Sequence, residues 1–295
     1  MSRSAQDCFT DVPGLRIGHA QDSRHMTGVT VILPDAPMVM GVDVRGGAPG
    51  TRDTPVLDPG NLVERVHGLV LSGGSVFGLA AADAVTCWLS EQGIGLPSKA
   101  RTIPVVPQAI LFDLGNGGDK NWGMDPPYRQ LALQACHQLG ADSFHGRYGA
   151  GYGAVAGSRL GGIGGASVTA SSGYRVSALV AVNSFGDVYP GEPPLGEVPL
   201  PKVPLVGQNT TIGVVATDAP LTKAQAQRLA LMAHDGLARC IRPIHTQFDG
   251  DTLFALSTAA EGKQPVDALT LSVLGTHAAD CVVSAVRRSV GLLTS

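Results

Sequence analysis

The segment Gly207-Gln208-Asn209-Thr210-Thr211-Ile212-Gly213-Val214-Val215-Ala216-Thr217-Asp218 passes from a proline-rich, irregular stretch straight into a β-branched strand. Two threonines stand at the seam, directly after an asparagine. β-Branched threonines open many strands simply because they suit the pleat. The same position also suits chemistry. If the Asn209–Thr210 bond is cut, Thr210 becomes an N-terminal residue with a nucleophilic hydroxyl, and its new α-amino group can serve as base. Which reading holds depends on what the rest of the chain places beside the seam.

The 295 residues are 44% hydrophobic and 15% charged, the balance of a compact chain with a large core rather than a disordered one. The 39 glycines fall in short clusters such as Gly46-Gly47, Gly73-Gly74 and Gly161-Gly162, which suits tight turns and close backbone approach. A formal charge of -3 offers no concentrated basic face, so no nucleic-acid partner is expected. The 5 cysteines are scattered without a CxxC pair, which argues against a disulfide framework or a zinc site. Cys87 falls in an apolar helical pattern and reads as a buried thiol. The N-terminus lacks the apolar core of a signal peptide, and no apolar run is read as long enough to span a membrane. A cytoplasmic protein without a membrane partner is expected.

Along the chain, Gly14 to His19 and Val29 to Leu33 read as strands separated by the polar turn Asp22-Ser23-Arg24-His25. Met38 to Val44 follows as a buried strand. The loop Arg45-Gly46-Gly47-Ala48-Pro49-Gly50-Thr51-Arg52 has backbone N–H groups for an anion, but lacks the Walker spacing and its Lys. No cofactor is expected. His67 to Leu71 is a strand, and a helix from about Val76 to Gln92 ends at Gly93. Ser72 and Ser75 read as capping residues; Ser75 does not fit G-x-S-x-G, since Phe77 stands two places on. Ile103 to Phe112 is strand-like but broken by Pro104 and Pro107. A helix runs from about Arg129 to Leu139, and the glycines from Gly149 to Gly165 suggest close backbone approach.

Val176 to Val182 is a strand ending at Asn183, and Pro190 to Pro204 is a long connector. Beyond the seam, Thr222 with Gln225 makes a capping box, and Leu221 with Ala226 a hydrophobic staple. Ala226, Leu229, Ala230, Ala233 and Leu237 form the apolar face of the helix that follows. Thr252 to Ser257 is a strand and Val266 to Val290 a final helix. Strands and helices alternate throughout, as in one layered α/β domain.

Three polar groups sit where strands meet loops: Asn183, Thr210, and the pair Asp249 and Asp251 flanking Gly250. Each alone is equally a turn former. Together they supply what amide hydrolysis needs. Thr210 is nucleophile and base, Asn183 offers an oxyanion donor, and the two aspartates can orient the Thr210 ammonium or hydroxyl, or accept a substrate amine. His234, His245 and His277 share the last third of the chain, but no HxH or HExxH spacing supports a metal site.

At these residues the chain resembles the self-processing family of L-aminopeptidase/D-esterases, β-aminopeptidases and nylon-oligomer hydrolases. Four segments carry the resemblance in order: Gly41 to Arg52, Leu71 to Leu79, Asn209-Thr210-Thr211-Ile212 leading into Val215 to Ala219, and Asp249-Gly250-Asp251 before Phe254 to Thr258. The resemblance implies a single αββα sandwich over residues 1–295, similar to the N-terminal-nucleophile hydrolases but differently connected. It implies self-cleavage between Asn209 and Thr210 into an α chain, 1–209, and a β chain, 210–295. It also implies Thr210 as nucleophile, Asn183 as oxyanion residue, Asp249 and Asp251 as assisting acids, short peptide, amide or ester substrates, and a homotetramer of α/β heterodimers.

Two departures stand out. Many relatives carry a Lys before the second Gly-Gly, where this chain has Leu160, with Arg159 one step earlier as the possible charge near the site. Arg cannot serve as a titrating base. Some peptidase members also use a Tyr near the oxyanion hole, and the Phe112-Asp113-Leu114 region stands in its place. Two alternatives therefore accompany the hydrolase reading: a processing-deficient, non-catalytic homologue, and an acyltransferase of the ornithine acetyltransferase type.

Overall fold

The structure is a computed structural model and describes residues 7–141, 144–197 and 209–293. The strands in chain order begin with β1 (Leu15–Asp22), β2 (Thr27–Pro34), β3 (Val39–Val44), β4 (Thr51–Arg52), β5 (Leu69–Ser72) and β6 (Gln108–Ile110). A small hairpin of β7 (Val155–Ala156) and β8 (Arg159–Leu160) precedes β9 (Gly162–Thr169), β10 (Arg175–Asn183) and β11 (Asp187–Val188). The last are β12 (Thr210–Thr217), β13 (Ile241–Arg242) and β14 (Thr252–Ser257). The helices are α1 (Ala80–Glu91), α2 (Tyr128–His137), α3 (Lys223–Ala238) and α4 (Ala268–Ser289).

Two five-stranded sheets form, one ordered β1-β2-β5-β6-β4 and the other β3-β14-β12-β10-β9. They face each other across Ile17, Ile32 and Leu71 from the first and Leu179, Ile212, Val214, Phe254 and Leu256 from the second. On the outer side of the first sheet, Val29, Val31 and Val70 pack against Val85 of α1 and Leu131 and Ala135 of α2. Outside the second, Val180, Val215 and Ala255 pack against Leu229 and Ala233 of α3 and Ala278 and Val282 of α4. The expected αββα sandwich is the observed architecture. β12 shows how sequence builds it: Ile212, Val214 and Ala216 face the other sheet while Val215 faces the helices. A strand buried on both faces reads as an unbroken apolar run.

The capping box on α3 forms as its sequence indicates. Gln225 N donates to Thr222 Oγ1 at 3.1 Å, and Thr222 N donates to Gln225 Oε1 at 3.0 Å. α3 carries the chain from β12 to its parallel neighbour β14, a crossover that a hairpin cannot make. The helix lies close against β3 because residue 41 is a glycine: a Cβ there would stand 2.3 Å from Gln227 N. Gly164 does the same for α4, where a Cβ would stand 2.1 Å from Ala285 O.

Several expectations change. The helix expected from Val76 begins as a 3-10 turn, Ser75–Leu79, and becomes α-helical only at Ala80. Neither Ser72 nor Ser75 caps it: Ser72 Oγ donates to Gly73 O, and Gly74 is the N-cap with no side-chain bond. Cys87 is exposed, because it lies about half a turn away from the buried Val85 and Leu89. Only Gln108–Ile110 of the Ile103–Phe112 stretch joins the sheet, since Pro104 and Pro107 have no N–H to donate. The glycines at 162–165 open an edge strand that the sequence reading did not assign. α4, with 22 residues, is long and apolar enough by length and composition to cross a membrane, contrary to expectation, although its apolar face is buried on β9, β10 and α3. Residues 190–197 of the expected connector hold no helix or strand, and 198–204 lie outside the described residues.

Gly41→Ala tests the close packing of α3. Forcing helix and strand apart should destabilise the chain by about 3 kcal/mol, the upper range for an overpacked core. Urea unfolding of variant and parent measures it, and an unchanged midpoint would show that α3 yields without cost.

Candidate active site

The topology brings three strand ends together. β10 and β12 are antiparallel, so Asn183, the last residue of one, pairs with Thr210, the first of the other. β14 runs parallel to β12 on its other side, with Ile212 beside Thr252. The turn Asp249-Gly250-Asp251 therefore lies against the seam, and Asn209 bridges to Asp249. Thr210, Asn183, Asp249 and Asp251 are all at most 2% exposed.

The Asn209 carbonyl oxygen is held from two sides. Gly250 N donates to it at 2.9 Å, and Thr210 Oγ1 also donates to it. A Cβ on Gly250 would stand 2.9 Å from Thr210 Oγ1 and 2.7 Å from Ala48 O. The threonine hydroxyl thus lies against a glycine that leaves it room. The loop considered for anion binding has another use: Arg45 N, Gly47 N and Ala48 N donate to the carbonyls of Asp251, Thr246 and Asp249 at 3.0, 3.0 and 2.8 Å. Its N–H groups fasten it over the Asp249–Asp251 turn.

The amide of Asn183 has a set orientation. Its Oδ1 accepts from Val155 N at 2.8 Å and Asn116 Nδ2 at 3.3 Å, so its NH₂ is the end turned to Phe112 O, at 2.9 Å. A backbone N–H donates only to the oxygen, which resolves the flip. Phe112 therefore touches Asn183 through its carbonyl. Asp113 beside it is fully buried and accepts from Thr27 Oγ1 at 2.6 Å and Gly74 N at 2.8 Å. Burial pushes its carboxyl up to about 6.

The two acids are clamped. Asp249 accepts from Phe185 N at 3.0 Å through Oδ1, and from Thr246 N and Oγ1 at 3.1 and 2.6 Å through Oδ2. Burial first, and then the neighbouring Asp251, push its carboxyl up to about 6. Asp251 Oδ1 accepts from Thr211 N at 2.7 Å, while Oδ2 accepts from His245 N and Nδ1 at 3.0 and 2.8 Å. It thus meets the seam through the residue after Thr210.

Arg159 and Leu160 are both exposed on β8, in the hairpin whose other strand supplies Val155 N to Asn183. Of the three histidines, His234 and His245 meet, with ring centroids 4.9 Å apart, while His277 lies on α4. Among the described residues no cluster of three or more His, Cys, Asp or Glu is placed to hold a metal. The sequence reading did not single out Gly250 N–H, Thr211 N–H, Asn116 or Thr246. Backbone donors carry no residue-type signal, and Asn116 reads as a loop residue until the fold sets it beside Asn183.

The raised carboxyl of Asp249 sets a pH dependence. Unfolded, it ionises near 3.8; folded, it holds its proton to about 6. Between these values the folded chain binds more protons than the unfolded one, so stability falls as pH rises through the window. Asparagine does not titrate. In a Thr210→Ala background, which keeps the chain in one piece whatever the hydroxyl does, Asp249→Asn should gain on its parent by about 2 kcal/mol between pH 4 and pH 7. Chemical unfolding at each pH measures the gap, and a flat gap would remove the assigned burial effect.

Comparisons with known proteins give the family and the fold. An uncharacterized aminopeptidase of Mycobacterium bovis is 41% identical over 96% of this chain and 93% of its own. A 6-aminohexanoate-oligomer endohydrolase of a Kocuria species is 28% identical over 84% of this chain and 74% of its own. A Burkholderia β-aminopeptidase structure matches with a TM-score of 0.76 at 25% identity, covering 96% of this chain and 86% of that one. The L-aminopeptidase D-Ala-esterase/amidase of Ochrobactrum anthropi, described as a variant of the Ntn hydrolase fold, matches with a TM-score of 0.77 at 24% identity over 96% and 85%. The model of peptidase family S58 matches residues 7–292. Its sandwich is thus a variant of the Ntn hydrolase fold, and the chain belongs to peptidase family S58, a hydrolase of peptide and amide bonds.

Proposed function

We propose that the chain cuts its own Asn209–Thr210 bond and then works as an aminopeptidase or amidohydrolase through Thr210. The observation that carries this is the Asn209 carbonyl, held between Thr210 Oγ–H and Gly250 N–H. Thr210 Oγ attacks the Asn209 carbonyl carbon, and the charge that develops on its oxygen falls on the Gly250 donor. The C–N bond breaks, the hydroxyl proton ends on the departing Thr210 nitrogen, and an ester joins Asn209 to Thr210 Oγ. Water opens the ester, leaving a carboxylate on Asn209 and a free N-terminal Thr210.

Turnover repeats the attack on a substrate carbonyl. The Thr210 α-amino group, with a reference pKa of about 7.7–8.0, takes the hydroxyl proton and passes it to the leaving amine or alcohol. Water then hydrolyses the acyl-enzyme. Asn183, opposite Thr210 in the β10–β12 ladder, is the residue we assign to the substrate oxyanion, while Asp249 and Asp251 supply negative charge for the new ammonium. The substrates are the N-terminal residues of short peptides, amides or esters. The relatives that act on β-amino and ω-amino acid units place those beside α-peptides in a first screen of aminoacyl p-nitroanilides. The working form is a cytoplasmic homotetramer of α/β heterodimers, and light scattering that returned a single heterodimer would overturn that assembly.

Intact mass and denaturing electrophoresis should resolve fragments 1–209 and 210–295 from the purified protein. Thr210→Ala should abolish both cutting and hydrolysis. Gly250→Ala should slow cutting roughly a hundredfold, on the scale of one lost or displaced oxyanion donor. A parent chain that stays whole through incubation would mark a processing-deficient relative, and hydrolysis that survives Thr210→Ala would remove Thr210 from its role.

A further inference from the structure

We propose that His245 is a positioning residue that aligns the nucleophile through Asp251, an inference that rests on the processing reading above. His245 has a φ of +58°, the left-handed region that few residues other than glycine enter, histidine being among the side chains that do so most readily. That backbone turn aims two donors of one residue, its N–H and its ring Nδ1, at the same oxygen, Asp251 Oδ2. With Oδ2 occupied, Oδ1 is the oxygen that receives Thr211 N–H at 2.7 Å. This N–H belongs to the peptide formed with the Thr210 carbonyl. Holding it fixes the plane of that peptide, and with it the direction of Thr210 Oγ toward the Asn209 carbonyl.

The surroundings keep the imidazole in one tautomer. A carboxylate at Nδ1 requires the proton there. Nε2 is buried without a hydrogen-bond partner among the described residues. Behind it, on α3, stands His234, fully buried, its Nε2–H donating to Asp43 O at 3.0 Å. Burial pushes His234 down to about 4, so it meets the His245 edge as a neutral wall. The charges nearby complete the set. Asp43 on β3 has a carboxylate oxygen 3.6 Å from His234 Nε2 and pairs with Arg45 at 2.7 Å, and Asp249 shares the turn with Asp251. Of these acids, Asp251 alone bonds His245 among the described residues. The left-handed turn at His245 therefore serves one acceptor, Asp251, and the contact passed on by Asp251 ends one peptide away from the bond proposed to be cut.

Two variants isolate the donor from the backbone. Asparagine and glycine both accept a left-handed φ, but only asparagine offers a side-chain N–H in place of Nδ1. Fragments 1–209 and 210–295 are followed by electrophoresis for wild type, His245→Asn and His245→Gly, with kcat and KM on an aminoacyl p-nitroanilide that the wild type hydrolyses. His245→Gly should slow cutting roughly tenfold or more and lower kcat with little change in KM, as when a bond to a charged group is lost. His245→Asn should recover cutting to within about threefold of wild type. If the glycine variant does not fold, His245→Ala, which also lacks the donor, replaces it. Cutting by the donor-less variant at the wild-type rate, or an asparagine variant as slow as it, would overturn the role of His245 alone. A wild type that never cuts would overturn this role together with the processing reading.

Discussion

The arrangement of this protein depends on one strand, β12, paired on both edges and buried on both faces. Its antiparallel ladder with β10 and its parallel ladder with β14 leave no freedom of register, because a slip of one residue would turn Val215 into the space between the sheets. Every candidate group is then positioned by backbone pairing. Asn183 is opposite Thr210 because the strands are in register, and Gly250 meets Asn209 because the parallel partner begins at Thr252. A site built on strand ends in this way inherits the rigidity of the sheet.

That rigidity is set against buried polar groups. Asp113, Asp249 and Asp251 are fully removed from solvent, each held by two or three donors. Hydrogen bonds of this kind offset part of the cost of burying a carboxylate, and the raised carboxyls of Asp113 and Asp249 show that they do not offset all of it. Removing a partner here would leave a buried charge uncompensated, and the loop at 45–48 adds to the hold on the turn through its backbone carbonyls.

Much of this was legible in the chain. The β-branched run after Thr210 announced a strand, and Thr222 with Gln225 announced the start of α3. Asn183, Thr210, Asp249 and Asp251 were legible as strand-end polar residues, and the structure does bring all four together. Other features were hidden for physical reasons. The edge strand β9 begins with glycines, which have low strand preference, and the close approach of α4 explains Gly162 and Gly164 only once the fold is known. Cys87 was misread because a helical apolar pattern fixes a face only when its phase is known. The roles of Gly250 and Thr211 lie in their N–H groups, which every residue but proline possesses.

The second sheet has a consequence for how the molecule can come apart. Its order, β3-β14-β12-β10-β9, sets two strands from after the Asn209–Thr210 bond between strands from before it. A cut at that bond frees no element, since β3–β14 and β10–β12 remain laddered across the break. The proposed cut would have to follow folding, because the strands that form the site come from both sides of it. Once made, it would change the thermodynamic character of the protein. The uncut chain refolds as one body at a rate independent of concentration, whereas two separated pieces must first find each other. Loss of the native state then becomes a matter of dilution and unfolding rate as well as of free energy.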